Sequence, residues 1–443
     1  MIQALEVSNA LVYRTIIVDG ASRTILMREE NGDLALLFVS ISSEARSAEQ
    51  LCKAIYAAWG IRVLILNFFS VCDASLGVIA ELLTPMESIR GLRSLPLDQF
   101  PTSLLHESDL AALVETIRGT VSCPFSRLGW IDQLIAWLER ETDKRLSSKG
   151  CIRQFNAGGP FALLRFEMKD GQAYWLKATG EPNSHEFAIT AYLSHHFPDA
   201  LPRLIAVRED WNAWLAEDMG ACLPDQPGAE LLARAAKQFA SLQLKTIAHI
   251  DSLLARGATN LRLSQLIKSI DPIMDFLAVA MARQRSTKVA PLDSGQLREL
   301  ATVLCDSCER MQSLGVPDTL IHNDLSHGNV LDNGNHCVFT DWSEAAVGNP
   351  FLSCERLCQL NSTHRESVQT MYRGVWSQFV HATVIDNAFA LMPLVAIYAY
   401  LFGRGNWMRG NVCDSRFESY ARSLARHMYR EAKNPLLLEA LCH

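Results

Sequence analysis

The segment from Leu320 to Trp342 reads LIHNDLSHGNVLDNGNHCVFTDW, and the fold assignment starts from it. Apolar runs before His322 and before Asp341 indicate short buried strands, and the Asp-Asn-Gly-Asn run is a turn signal. Asp324 follows the first strand, and Asn329 lies five residues later. Asp341 lies twelve residues after Asn329, at the end of a predicted hairpin. The spacing therefore predicts that a loop and a hairpin carry three polar side chains toward one place.

These three side chains suit phosphoryl transfer. A carboxylate on a loop, such as that of Asp324, can orient a substrate hydroxyl. The amide oxygen of Asn329 and the carboxylate of Asp341 are oxygen ligands of the kind that magnesium prefers, and magnesium usually takes only one or two carboxylates plus phosphates. The pattern therefore indicates a magnesium site beside a carboxylate that can meet a substrate hydroxyl.

With this signature the chain resembles the aminoglycoside phosphotransferase and choline kinase-like branch of the protein-kinase-like fold, over about residues 125–443. The resemblance implies an α+β, bilobal fold with a small five-stranded antiparallel sheet lobe and a large helical lobe. It implies ATP (or GTP) and magnesium as cofactors and a small-molecule hydroxyl acceptor. It also implies Asp324 as catalytic base, Asn329 and Asp341 as magnesium ligands, and His322 as a brace for the loop. Asn323 stands where the family usually has Gly, and Asn349 where His is common, but neither removes a group that the chemistry needs.

Lys177 and Glu186 are the candidate residues for the nucleotide phosphates. Lys177 is the single charged residue of an apolar strand, and Glu186 begins the next predicted helix nine residues later. An ion pair with Glu186 could hold the lysine toward the phosphates. The alternatives are a strand-edge gatekeeper for Lys177 and a first-turn acid favoured by the helix dipole for Glu186.

Two further segments are assigned to cofactor binding. Gly158 and Gly159 lie in a turn where a phosphate-covering loop belongs, although a plain hairpin turn explains them equally well. Glu217 lies where the resemblance places the hinge whose backbone meets adenine.

The first 118 residues have a different texture, with short strands and one predicted helix, Ala48–Trp59. In strand–helix order and in the segment Leu95–Pro101 they resemble a Nudix domain. Aligned on Gly60, the three glutamates of the Nudix box become alanines, so no Nudix hydrolysis is expected. Any small α+β domain competes with this reading, and dimerisation, substrate gating and scaffolding stay open as its role. The three alanines are Ala54, Ala57 and Ala58.

The predicted organisation is therefore a degenerate Nudix-like domain (1–118), a linker and connecting helix (119–150), a kinase-like N-terminal lobe (151–219) and a helical C-terminal lobe (220–443). The strands expected in the first domain are Leu11–Val18, Thr24–Arg28, Leu34–Val39, Val63–Val71 and Val78–Leu83. The helix expected in the linker region is Trp130–Leu146. In the kinase-like N-terminal lobe we expect the helix His185–His196 and the strands Ile152–Asn156, Phe161–Met168, Ala173–Ala178, Ile205–Arg208 and Ala213–Glu217.

Composition sets further limits. The chain has 443 residues and a net charge of -7, which argues against a surface that binds nucleic acid. Its 12 cysteines are scattered, and the pair Cys305 and Cys308 fits helix packing better than zinc. The apolar run Ala388–Gly403 is short for a membrane span, and the N-terminus shows no secretory signal. We therefore expect a cytoplasmic protein that does not enter a membrane.

Two alternatives to a small-molecule kinase follow from the same residues. One is a pseudokinase-like nucleotide-binding module that regulates a partner. The other is a protein kinase, opposed by Asn323 in place of the usual arginine and by Asp341-Trp342-Ser343 in place of Asp-Phe-Gly. Acids such as Asp341 and Glu344 favour a cationic or polyhydroxylated acceptor.

Overall fold

The computed structural model describes residues 10–30, 33–42, 46–70, 76–85, 89, 91–120, 123–158, 161–404 and 415–442. The chain forms two compact units. Unit 1 comprises Met1–Phe187 and Arg203–Asp218, and unit 2 comprises Ala188–Pro202 and Met219–His443.

The first part of unit 1 is a mixed sheet of seven strands. Its elements are β1 (Leu11–Asp19), β2 (Thr24–Glu30), β3 (Asp33–Ala35), β4 (Leu37–Ile41), α1 (Ser47–Trp59), β5 (Val63–Ser70), β6 (Leu76–Leu82), β7 (Arg93–Pro96) and α2 (Glu107–Arg118). The strand order is β3-β2-β1-β6-β5, with β4 paired to β1 and β7 to β2. The pairing of β1 with β6 is parallel, whereas its other neighbours are antiparallel.

Two predictions for this region were wrong. The single predicted strand Leu34–Val39 is two strands, because β3 pairs with β2 while β4 pairs with β1. The region also holds a second helix, α2, which the sequence analysis missed. An ion pair between Arg14 of β1 and the buried Asp109 anchors this helix, and its partners are too far apart in sequence for a local pattern to reveal.

The second part of unit 1 is the five-stranded antiparallel sheet that the sequence predicted. Its elements are α3 (Trp130–Thr142), β8 (Ile152–Asn156), β9 (Phe161–Glu167), β10 (Ala173–Thr179), β11 (Leu204–Arg208) and β12 (Ala213–Glu217), in the order β11-β12-β10-β9-β8. The helix α3 is shorter than predicted because Asp143 adopts a left-handed conformation, φ 53°, which ends it. Buried side chains of β1, α3 and β9, among them Ile16, Trp130 and Phe166, belong to one hydrophobic core.

Unit 2 is mainly helical. Its elements are α4 (His185–His196, which begins in unit 1), β13 (Ala221–Cys222), α5 (Ala229–Thr246), α6 (Ile250–Ala255), β14 (Thr259–Leu261), α7 (Leu263–Lys268), α8 (Ile270–Ala282), α9 (Ser294–Ser313), β15 (Thr319–His322), β16 (Val330–Asp332), β17 (Cys337–Phe339), β18 (Ala345–Gly348), α10 (Phe351–Leu360), α11 (Arg365–Trp376), α12 (Ala382–Gly403), α13 (Ser415–Glu431) and α14 (Pro435–Cys442). Two small sheets, β13-β16-β17 and β14-β18-β15, lie among these helices.

Two features of unit 2 bear on the sequence predictions. Of the described helices, α12 is long and apolar enough to cross a membrane, but 67% of its most apolar stretch is buried, as in a core helix. Cys305 and Cys308 lie on α9, and Cys308 is fully buried. Within the described residues, no group of three or more His, Cys, Asp or Glu side chains is placed to hold a metal ion.

A buried carboxyl in unit 1 should make stability depend on pH. Burial raises the pKa of Glu81 to about 7, although the Gly129 N–H donates to its carboxylate at 2.9 Å. Between about pH 4.5 and pH 7 the unfolded chain loses this proton while the folded chain keeps it, so stability falls by up to roughly 3 kcal/mol. Glu81→Gln keeps an oxygen acceptor for Gly129 but cannot ionise. We expect its urea-unfolding midpoint to fall less than that of the wild type across this range.

The exposed Glu115 on α2 supplies the matched control. Glu115→Gln should leave the wild-type pH dependence in place, because an exposed carboxylate has similar surroundings in both states. Equal pH dependence in Glu81→Gln and the wild type would contradict the assignment.

Candidate active site

The loop that carries Asp324 is held by a buried strand. All four residues of β15 are buried, and the buried Gln243 of α5 donates to the Leu320 and Pro350 carbonyls at 3.2 and 3.1 Å. A neutral amide that satisfies two buried carbonyls fixes the strand without burying a charge. The start of the loop is therefore rigidly placed in the core of unit 2.

His322 connects this loop to the hairpin that follows. Its ring is fully buried, its Nε2 lies 2.8 Å from the Thr340 carbonyl oxygen, and its centroid is 4.7 Å from that of Trp342. Its backbone N–H donates to the Ser353 hydroxyl at 3.2 Å. The predicted bracing contact is present, and it ties the loop to the residue just before Asp341.

Asn329 folds back across the loop onto Asp324. Its Nδ2 donates to the Asp324 backbone oxygen at 2.7 Å and approaches the Asp324 Oδ2 at 3.3 Å. Because the amide nitrogen is committed to Asp324, the amide oxygen of Asn329 is the atom that can face a cation. The side chain of Asp324 itself is 30% exposed, so a substrate can reach it.

Asp341 lies at the same end of the hairpin as Asn329. The register pairs Val330 with Phe339, and the Thr340 N–H donates to the Asn329 carbonyl at 3.0 Å. Asp341 follows directly in a left-handed conformation, φ 64°, which costs about 1 kcal/mol for a residue other than glycine. The Ser343 hydroxyl donates to its Oδ1 at 2.8 Å. Backbone pairing thus places Asp341 one residue beyond Thr340, the backbone partner of Asn329.

The residues present fit magnesium and do not fit a softer metal. One carboxylate and one amide oxygen make an incomplete shell of hard ligands, which is the set that magnesium takes when nucleotide phosphates supply the rest. No cysteine or histidine completes a tetrahedral site among the described residues. The donor atoms of Asn329 and Asp341 are therefore of the kind that suits a hard cation such as magnesium.

Three side chains that the sequence analysis missed surround Asp324. The Arg404 Nη2 lies 3.1 Å from the Asp324 Oδ1 and 2.8 Å from the Glu344 Oε1, and the Arg356 Nη2 lies 4.0 Å from the Asp324 Oδ1. The Tyr400 ring lies against both arginines. Arg356 lies on α10 and Arg404 directly follows α12, both far along the chain from Asp324, so no local spacing could have signalled them.

The charged groups around Asp324 shift the pKa values of one another. Burial raises the pKa of Glu344, and the nearby Arg404 guanidinium offsets part of that effect. Although burial acts in the opposite direction, the Glu344 and Asp324 carboxylates hold the pKa of Arg404 above its ordinary value. Two unit charges about 4 Å apart near a protein surface interact by about 4 kcal/mol, so this cluster strongly selects which charges can approach Asp324.

Lys177 and Glu186 form a buried ion pair in unit 1. Their Nζ and Oε1 atoms are 2.6 Å apart, with side chains 10% and 1% exposed. Lys177 lies on β10, which has β9 and β12 as neighbours, so the strand-edge gatekeeper reading is wrong. Breaking a buried pair costs about 3–5 kcal/mol, against 0–1 kcal/mol for a surface pair, so Glu186 is more than a first-turn acid.

The other predicted cofactor residues lie in unit 1 as well. Gly158 follows β8 with φ 104°, a conformation that favours glycine, and Gly159 lies outside the described residues. Glu217 ends β12 and accepts a hydrogen bond from Arg203 at 3.0 Å. Their roles toward a nucleotide stay predictions. The structure thus brings Asp324 and Asn329 into contact within unit 2, with Asp341 one residue beyond the backbone partner of Asn329, and it brings Lys177 and Glu186 together within unit 1.

Comparisons with known proteins give distant structural similarities only. No family model and no curated protein matches the chain. It is similar to choline kinase from Cryptosporidium parvum Iowa II (TM-score 0.48, 16% identity, 70% of this chain and 97% of that one). It is also similar to choline kinase LicA from Streptococcus pneumoniae (0.46, 11%, 68% and 99%) and to macrolide 2'-phosphotransferase MphH from Brachybacterium faecium (0.40, 16%, 66% and 98%). With TM-scores below 0.5, these similarities say nothing about which molecule this chain acts on.

The bracing contact of His322 can be tested by its removal. His322→Ala deletes a fully buried ring and leaves the Thr340 carbonyl without its partner, so we expect a loss of about 2–4 kcal/mol in the free energy of unfolding. His195→Ala, at an exposed position near the end of α4, is the control and should change stability by less than about 0.5 kcal/mol. Equal urea-unfolding curves for the two variants would show that the ring does not brace the loop.

Proposed function

We propose that this protein is an ATP-dependent phosphotransferase that moves the γ-phosphoryl group to a hydroxyl of a small molecule. The observation that carries the proposal is the convergence of Asp324, Asn329 and the end of the hairpin. The Asn329 amide donates to the Asp324 backbone oxygen at 2.7 Å, and the Thr340 N–H donates to the Asn329 carbonyl at 3.0 Å. Phosphoryl transfer depends mainly on positioning and charge stabilisation. The arrangement supports the proposal because Asp324 offers a carboxylate for the acceptor hydroxyl and Asn329 offers an amide oxygen for magnesium.

In this proposal each residue has one task. Asp324 orients the acceptor hydroxyl and takes its proton as the new bond to phosphorus forms. Asn329 and Asp341 would hold magnesium, which would offset the negative charge of the phosphates when bound. Lys177, fixed by Glu186, would neutralise phosphate oxygens from the sheet of unit 1. The nucleotide is ATP or GTP, and Gly158, Gly159 and Glu217 are its further proposed contacts.

The proposed location is the cytoplasm, where ATP is available. It is supported by the described cysteines, which are all free thiols, as expected in a reducing compartment. A homodimer formed through the N-terminal, Nudix-like region remains part of the proposal.

Replacement of the proposed base provides the direct test. Asp324→Asn keeps the size of the side chain and removes its ability to accept a proton. We expect acceptor-dependent ADP release to fall by about 10²–10⁴-fold, while the affinity for magnesium–ATP stays near that of the wild type. A coupled ADP assay with a panel of hydroxylated compounds, together with calorimetric titration of the nucleotide, measures both quantities.

Asp306→Asn is the matched control, because Asp306 is an exposed aspartate on α9. It should leave both quantities unchanged. Wild-type turnover in Asp324→Asn would contradict the role of Asp324. Nucleotide binding by the wild type with no ADP release on any acceptor would instead indicate a regulatory nucleotide-binding module.

A further inference from the structure

Asp324 does not face an acidic pocket, as its neighbours in sequence had suggested. The Arg404 guanidinium bridges Asp324 and Glu344, with Nη2 at 3.1 and 2.8 Å from their oxygens and Nε at 3.3 Å from the Glu344 Oε2. Asn323 adds a weaker contact to the same Glu344 oxygen at 3.4 Å. The charge of Glu344 is therefore already balanced by Arg404. An acid that is paired in this way does not attract a cationic acceptor.

Arg356 adds a second positive charge on the same side of Asp324. Its side chain is 20% exposed and reaches the Asp324 Oδ1 only at 4.0 Å, which is too long for a hydrogen bond. Its Nη1 donates to Gln359 at 3.0 Å. Among the described residues, Nη1 is the Arg356 nitrogen with a hydrogen bond, and the partly exposed guanidinium end keeps further N–H groups. Arg356 therefore has donor capacity that this cluster does not use.

Tyr400 fixes how the two arginines are presented. The Cζ atoms of Arg356 and Arg404 lie 4.3 and 4.5 Å from the centre of its ring. A guanidinium that lies against an aromatic ring is held in place, while its N–H groups still point outward in a fork that matches a carboxylate or a phosphate. Arg404 uses its Nη2 and Nε on Asp324 and Glu344, so an anion beside the proposed base would be bound by the donors left on Arg356 and by replacing the contact of Arg404 with Asp324.

We propose that the acceptor carries an anionic group, a carboxylate or a phosphate, close to the hydroxyl that is phosphorylated, and that Arg356 and Arg404 bind this group. This inference rests on the proposed function and names its substrate class. The anion would take the fork of Arg404 from Asp324, which frees the carboxylate that must accept the hydroxyl proton. A cationic acceptor would instead meet two guanidinium groups at the base.

The reaction balances without any further reactant. The acceptor oxygen forms a bond to the γ-phosphorus, and the bond between that phosphorus and the bridging oxygen of ADP breaks. The hydroxyl proton passes to Asp324, and the electron pair of the broken phosphorus–oxygen bond leaves with ADP. Arg356 and Arg404 neither gain nor lose a proton.

Binding of four small probes tests the proposal without knowledge of the natural acceptor. Glycerate, glycerol 3-phosphate, glycerol and 3-amino-1,2-propanediol share a hydroxylated three-carbon skeleton and differ in the charge of one end. In calorimetric titrations of the full chain with magnesium–ADP present, we expect at least one anion to bind about ten-fold or more tightly than glycerol and the amine. The preference between glycerate and glycerol 3-phosphate identifies the anion as a carboxylate or a phosphate.

Matched variants locate the site of binding. Arg404→Gln and Arg356→Gln should each weaken binding of the preferred anion by about ten-fold or more, and Arg404→Lys should weaken it less, because lysine keeps the charge but loses the fork. Arg298→Gln removes an exposed guanidinium from α9 and should leave affinity unchanged. Circular dichroism of each variant checks that it is folded.

Three results would overturn the inference: tighter binding of the amine than of either anion, no binding of either anion, or an equal loss of affinity in Arg298→Gln.

The same samples separate failure of this inference from failure of the proposed function. If the wild type binds magnesium–ATP and releases ADP but binds no anion, only the acceptor class is wrong. If it binds no magnesium–nucleotide complex, the phosphotransferase proposal itself fails.

Discussion

The 2.8 Å contact between the buried His322 ring and the Thr340 carbonyl oxygen is the interaction on which the candidate site depends. It joins the loop that carries Asp324 to the strand end that carries Asp341. A second hydrogen bond, from the Thr340 N–H to the Asn329 carbonyl, joins the same strand end to the far end of the loop. Both bonds join residues that lie on two sides of the hairpin, and they fix where Asp324 and Asn329 lie relative to the strand end before Asp341.

The charged side chains in contact with Asp324 are balanced in sign. Two carboxylates, Asp324 and Glu344, are matched by two guanidinium groups, Arg356 and Arg404. Such a balance keeps buried and half-buried charges from destabilising the fold, since each has a partner of opposite sign. It also means that the neighbourhood of Asp324 responds to the charge of whatever enters. An incoming anion and an incoming cation would rearrange the same four side chains in opposite ways.

Much of the fold could be read from the sequence where the signal is local. The hairpin after Asn329, the five-stranded sheet and α4 follow from alternation, turn residues and helix caps that lie within a few positions of one another. The short strands β14 and β18 were not predicted, because partners distant in sequence hold them. The helix α2 was missed although Asp109 in its first turn and Gly119 at its C-cap are local signals. The same limit explains which site residues could be predicted. Asp324, Asn329 and Asp341 lie in one segment at a recognisable spacing, whereas Arg404 reaches Asp324 only through the tertiary packing of α12.

We propose that Asn329 and Asp341 share one divalent cation beside Asp324. Anomalous diffraction at the manganese edge, from crystals grown with Mn²⁺ and a non-hydrolysable ATP analogue, tests it most directly. The account predicts a manganese peak bound by the Asp341 carboxylate, the Asn329 amide oxygen and the nucleotide phosphates. A nucleotide with manganese held elsewhere in the chain, or a peak that contacts neither residue, would contradict it.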